Sequence, residues 1–309
     1  MRPIRTFCVT LACIGLLACN DSGTDVSPSQ ASELPPPPAT MARAAPLLPI
    51  VNLLPPLSSP PVSPDYTENC GVDGVKCLRW VEQELATWEQ FFGCDHRAVF
   101  PTVYRLLTQE TRWQMEIDPS GFDDAPGLGQ EAVEFYLLYE QMIRAHLAGE
   151  PIPPAWQLVM DTAQSGDWTG GHDMLQAINA HVQRDMPFAI ATTGLTLPDG
   201  RSRKSDHDRF NEILNRAYPR IVQAIGERYD PIMLTVGNLG VLGNVGAMQL
   251  VALWREGVWR NAERLTFSAD ELTKTSIEQQ ALLTGMAMRV GEVPGRRSMR
   301  KAYCESKLL

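Results

Sequence analysis

The stretch from His172 to Leu214 carries Asn179-Ala180-His181-Val182-Gln183-Arg184-Asp185-Met186-Pro187 and then, across a polar turn, Asp206-His207-Asp208-Arg209-Phe210-Asn211, and it holds three of the chain's five histidines. Read as a helix over 173–186, it puts Met174, Ile178, His181 and Asp185 on one side, because steps of three and four residues return to the same face. His207, Phe210, Leu214, Ala217 and Ile221 repeat that spacing in a second helix starting near Ser205. Both segments are helical in period and apolar on one face. The stretch therefore predicts two inner members of an all-α bundle.

Working outward, the same period recurs. Residues 75–91 place Cys77, Leu78, Val81, Leu85 and Trp88 at helical spacing; residues 97–115 do so with Val99, Val103, Leu106 and Leu107, and 127–148 with Val133, Tyr136, Leu137 and Ile143. Pro151 to Pro154 breaks the run, and Pro153-Pro154-Ala155-Trp156 enters a short helix, where proline suits the first turn. Pro219 is expected to kink the helix that follows Asn211, and Tyr229-Asp230-Pro231 to end it. The passage with Gly237, Gly240, Gly243 and Gly246 has no assignment; it lacks the preceding strand of a dinucleotide loop. Residues 247–265 form a helix with Trp254 and Trp259, and Ser268 with Glu271 reads as a capping box opening a last long helix to about Val290. No strand pattern is present, so the expectation is an all-α bundle of about seven or eight helices.

The N-terminus carries a different message. Arg2 and Arg5, an apolar run from Phe7 to Ala18, and Leu16-Leu17-Ala18-Cys19 read as residues 1–18 of a lipoprotein signal peptide with Cys19 as the lipidated residue. The run is too short for a spanning helix. The expected partner is a membrane, reached through the lipid on Cys19, and the expected location is the exported side of the cell envelope, in the outer membrane if the cell has one. Residues 19–65 hold twelve of the 24 prolines and read as a disordered tether, able to hold a folded domain on the order of 100 Å from the membrane. Residues 66–309 are then the helical domain, long enough for one sizeable core. After removal of 1–18, 25 basic residues face 36 acidic ones, so a nucleic-acid partner is not expected. Cys70, Cys77, Cys94 and Cys304 make an even set for an oxidising compartment; three pairings are open, one of which closes the short Cys70–Cys77 loop and ties Cys94 to the C-terminal tail.

Several chemistries lack their residues. There is no Gly-x-Ser-x-Gly turn, no His-Glu-x-x-His and no paired Glu-x-x-His. What stays is His181 with Asp185, four apart and able to meet at one point, as a hydrogen-bonded pair or as two ligands of a metal. Asp206, Asp208 and Glu212 crowd His207, although acids in a first helical turn also suit the helix dipole without any function.

The stretch Asn179 to Pro187, with Pro153-Pro154-Ala155-Trp156 before it and Trp259-Arg260-Asn261-Ala262-Glu263-Arg264-Leu265 after it, resembles a bacterial family of domains of unknown function bearing an Asn-Ala-His-Ile-Asn-x-Asp-Leu-Pro signature. The likeness covers about residues 75–290, with Val182, Gln183 and Met186 in place of Ile, Asn and Leu. A more distant likeness, to helical zinc phospholipases C and single-strand nucleases, implies that His181 and Asp185 donate two zinc ligands. Those enzymes carry a further histidine where Pro187 and Phe188 stand here, and an N-terminal tryptophan ligand that a lipidated Cys19 precludes. That leaves a mononuclear site of His181 and Asp185 with His207 or Asp206, and with His172 as a further option, where a divalent metal such as zinc would acidify water for hydrolysis of a phosphoester or ester. Two expectations follow: a binding or structural domain with a buried His-Asp pair, its protein or small-molecule partner unspecified, or a metal-dependent hydrolase.

Overall fold

The computed structural model describes residue 56 and residues 70–237, 241–289 and 296–307. The signal peptide at 1–18, lipidation of Cys19 and nearly all of the 19–65 tether lie outside the described residues, as do 238–240 within the glycine-rich passage. Of two compact units, Met1–Glu33 lies wholly outside, and every described residue belongs to Leu34–Leu309.

The fold is all-α. In chain order come α1 (Gly74–Phe92), α2 (Val99–Ile117), α3 (Ala125–Ala148), α4 (Pro154–Ser165), α5 (Gly170–Ile178), a π-helical segment (Asn179–Asp185), α6 (Met186–Thr193), α7 (Lys204–Arg228), α8 (Ile232–Gly237), α9 (Val241–Phe267), α10 (Glu271–Ala287) and α11 (Arg296–Ser306). That exceeds the seven or eight expected, for three local reasons. The helix expected over 173–186 is divided by its π-helical segment, α8 separates off before the glycine-rich passage, and the basic tail forms α11. The ends follow sequence: Asp73 accepts the Lys76 N–H at 3.0 Å, Asp124 accepts the Gly127 N–H at 3.0 Å, and Gly149 and Gly166 close α3 and α4 at positive φ. Ser268 is not the cap of α10. Asp270 is, accepting the Thr273 N–H at 2.7 Å, while the Ser268 hydroxyl donates to Asp270. A carboxylate suits the positive end of a helix better than a hydroxyl does. Pro219, expected to kink, lies inside α7, which continues to Arg228.

α1 packs on α2 and α3, α2 on α7 and α5, α3 on α6, and α6 on α9, while α10 lies along the π-helical segment and α4. Where α1 meets α3 the backbones nearly touch: a Cβ on Gly129 would stand 2.5 Å from the Gly74 Cα. The main core joins these helices through Val81, Leu85, Tyr136, Ile143, Trp156, Ile190, Ile225 and Trp259, all buried. Disulfides Cys70–Cys77 and Cys94–Cys304 are both formed, the second fastening α11 to the end of α1.

Candidate functional site: a cavity beside the His181–Asp185 pair

Pro187 explains why the helix widens where it does. A proline there has no N–H for the Gln183 carbonyl, and in α-helical register its ring would strike that carbonyl. The turn before it opens to i→i+5 bonding, with the Met186 N–H donating to the His181 carbonyl. Such π-helical turns recur at functional sites. The segment then shows two faces. On one, Asn179 donates to the Ala281 carbonyl at 2.8 Å, Gln183 accepts from Gln280 at 3.1 Å and Arg184 donates to Glu278 at 3.0 Å, binding it to α10, while Gln183 also donates to Asn179 at 2.6 Å within the segment. The other face presents His181 and Asp185.

Asp185 is fully buried and accepts from three sides: Trp156 Nε1–H at 2.8 Å and His181 Nδ1–H at 2.9 Å on Oδ2, Arg184 Nη1–H at 2.7 Å on Oδ1. A carboxylate in that position takes the proton-bearing nitrogen of the imidazole, so Nδ1 carries the hydrogen and Nε2 the lone pair. Burial lowers the His181 pKa, against the pull of Asp185, and so favours this neutral form. The ring lies on Phe135, centroids 3.4 Å apart and planes at 11°, with Phe100 and Tyr104 around it. Among the described residues Nε2 has no hydrogen-bond partner.

His181 is one of the residues lining a cavity of about 90 Å³. Leu78, Phe100, Leu128, Ala132, Ile178 and Leu214 are among its apolar lining, and its polar groups are few. Glu131, one turn before Phe135 on α3, is one; it makes no hydrogen bond or ion pair among the described residues, and burial raises its pKa. Arg255 of α9 is another. It is buried, with its pKa lowered to about 10 by desolvation, and each of its three nitrogens donates: Nε–H to Asn211, Nη1–H to the Met186 sulfur, Nη2–H to the His207 carbonyl.

The other expected ligands have different work. The His207 Nε2–H donates to the Arg255 carbonyl at 3.0 Å and Nδ1 accepts from Arg255 Nη2 at 3.2 Å, so both ring nitrogens are engaged. Burial and Arg255 hold its pKa well down. Asp206 accepts the Asp123 and Asp124 N–H groups at 2.9 and 2.8 Å, pinning the loop before α3. His172 stacks on Trp168 at 4.1 Å. Among the described residues no three His, Cys, Asp or Glu side chains stand together as an ion would need. The structure thus brings His181 and Asp185 together and leaves Asp206, His207 and His172 on other duties. Glu131 and Arg255 were missed in the sequence. The available signal was a charged residue on the apolar face of a helix, Glu131 between Leu128 and Phe135.

A second buried cluster lies apart from the cavity. Arg300 of α11 donates Nη1–H to Asp173 at 2.9 Å and to the Trp168 carbonyl, with Asp230 3.5 Å from Nε. Burial raises the Asp173 pKa to about 7, and His96, 4.0 Å from it, is lowered to about 3 by burial and Arg300.

Residues 79–291, more than half of the chain, match the model of a family described as a family of unknown function, DUF5995. The chain belongs to DUF5995. No curated protein and no solved structure matches it. The resemblance drawn over about residues 75–290 thus holds at the level of a family of unknown function. The DUF5995 region takes in His181, Asp185, Glu131 and Arg255, and leaves α11 with Arg300 and Cys304 beyond its limit.

Proposed function

We propose that this DUF5995 domain binds a small, mainly apolar molecule in its interior, with His181 as the polar anchor. The observation that carries the reading is an apolar cavity lined in part by His181, whose buried Nε2 has no hydrogen-bond partner among the described residues. An acceptor left unmet in such a place costs about 1–3 kcal/mol, a penalty that a hydrogen-bonding ligand removes. At roughly 10–15 Å³ per water, the space suits a molecule of about six to nine non-hydrogen atoms. Asp185 serves by holding the imidazole in the tautomer that aims the lone pair inward. The export reading of residues 1–18 and the lipid on Cys19 belong to this proposal as sequence arguments, and would place the binding site in the cell envelope.

The competing reading is a divalent metal, zinc for example, on His181 and Asp185 for hydrolysis. The three N–H donors already on Asp185 weigh against it, as does the commitment of both His207 nitrogens. Toluene titration by calorimetry is the test, with elemental analysis alongside. We expect saturable binding that is lost in Ala132→Phe, which fills the cavity. No toluene binding, or zinc at one per chain that disappears in a folded His181→Phe variant, would overturn the proposal.

A further inference from the structure

We infer that uptake of an apolar molecule by the cavity is coupled to a proton on Glu131: the molecule enters with the carboxyl neutral, so affinity falls as pH rises. This rests on the interior-binding reading above and adds the regulation of that site.

Glu131 stands on α3 between Leu128 and Phe135, and all three line the cavity. Its carboxyl makes no hydrogen bond or ion pair among the described residues. The enclosed side-chain atoms without a partner include Nε2 of His181 but neither oxygen of Glu131, so those oxygens keep surface that water reaches. An ionised carboxyl with no protein donor depends on water, and the space beside it is the cavity. That space, about 90 Å³ and lined mainly by apolar side chains, is filled by a molecule of about six to nine non-hydrogen atoms. An apolar ligand of that size displaces the water and brings no donor. A carboxylate left facing hydrocarbon is far costlier than the neutral acid. The ligand therefore favours the protonated form, and by linkage the proton favours the ligand to the same extent.

The charges around Glu131 do not cancel this. Arg203 before α7 and Arg255 of α9 favour its ionised form, while Asp124 before α3 and Asp206 of α7 oppose it. Both arginines are held elsewhere: Arg203 by the Thr193 and Gly194 carbonyls and Asp124, Arg255 by Asn211, the Met186 sulfur and the His207 carbonyl. Burial outweighs them and raises the pKa of Glu131 from its usual 4.5 before any ligand enters. Of the other titratable groups on the wall, Tyr104 of α2 and Tyr218 of α7 are raised by burial, and His207 of α7 and His181 are lowered by it. Filling the cavity moves Glu131 further up, toward the value of about 8–9 that a glutamate reaches in apolar surroundings. Affinity is then flat below the pKa of the empty site, falls about tenfold per pH unit up to that of the filled one, and is flat again above it.

The test is toluene titration by calorimetry on the full chain at pH 6.5, 7.5 and 8.5, in two buffers of different ionisation heat, which reads the protons taken up with the ligand. Ala132→Phe is the blank for nonspecific uptake. We expect affinity to fall about fivefold or more from pH 6.5 to pH 8.5, with net proton uptake on binding. Both effects should vanish in Glu131→Gln, which keeps the size and polarity but not the titration. Glu131→Leu is the second variant, and should bind toluene independently of pH and at least as tightly as wild type does at pH 6.5. Asp173, raised to about 7 in the other buried cluster, is kept in both variants. Equal affinity across the window without proton uptake overturns the coupling while interior binding stands, as does a pH dependence that survives in both variants. If wild type binds no toluene at any of the three pH values, the interior-binding reading itself fails.

Discussion

At the scale of single residues, burial decides what the ionisable groups are. His181 and His207 both have pKa values held below the usual range, first by desolvation, so in the folded protein each is neutral where an exposed histidine would begin to charge. The linkage has one sign: a folded pKa below the unfolded one, about 6.5, contributes stability that is present above pH 6.5 and is lost as pH falls toward the folded value. The expected outcome in NMR is that the ring C–H resonances of His207 stay in place from pH 8 down to pH 6 and that those of His181 titrate below pH 6.5. A titration centred near 6.5 for His181 would mean an open ring in water and would remove its role as a buried acceptor. The pairing of His181 with Asp185 was legible in the sequence, since four residues along a helix bring side chains together whatever surrounds them. The partnerlessness of Nε2 was not, because it depends on what α3 and α2 fail to offer.

At the scale of elements, small residues set how closely helices approach. Gly129 of α3 and Gly74 of α1 let two backbones meet, and any side chain at 129 would press on main-chain atoms that cannot rotate away. Gly129→Ala should therefore destabilise by about 1–3 kcal/mol despite the better helix propensity of alanine. Gly257 of α9 is the contrast, since a Cβ there would meet only the Gln280 amide at 3.8 Å, and Gly257→Ala should leave stability unchanged or raise it by up to about 1 kcal/mol. Urea unfolding of the two variants separates the effects, and similar midpoints for both would refute the close-approach argument. The π-helical segment shows the limit of period reading. The run of 173–186 has helical spacing throughout, yet Pro187 and the amide contacts to α10 decide that its last turns are widened.

For the whole molecule, the fastening of α11 matters most. It lies past the family match, and Cys94–Cys304 closes a loop with a sequence separation of 210. Cross-linking so long a segment removes much freedom from the unfolded chain, on the order of 5 kcal/mol by loop entropy. Arg300, buried between Asp173 and Asp230, holds the helix by charge as well. Cys304→Ser should therefore remain folded at 25 °C and lose about 2–5 kcal/mol, read as a lower denaturation midpoint. A midpoint equal to wild type would show that the bond does not restrain the unfolded chain. The four cysteines pointed to two bridges; that Cys94 reaches Cys304 required the packing of α11 against the α1 end, which no local pattern encodes.

By itself the sequence determined the helical class, most helix limits, the family and the meeting of His181 with Asp185, because periodicity, proline and cap residues act over distances of a few residues. Tertiary structure alone decided that His207 belongs to Arg255, that Asp206 holds the loop before α3, and that Glu131 and His181 line one cavity. Those outcomes depend on which faces of distant helices meet. Side chains 50 to 100 residues apart compete for the same donors and the same dry space, and only the packed chain settles that competition.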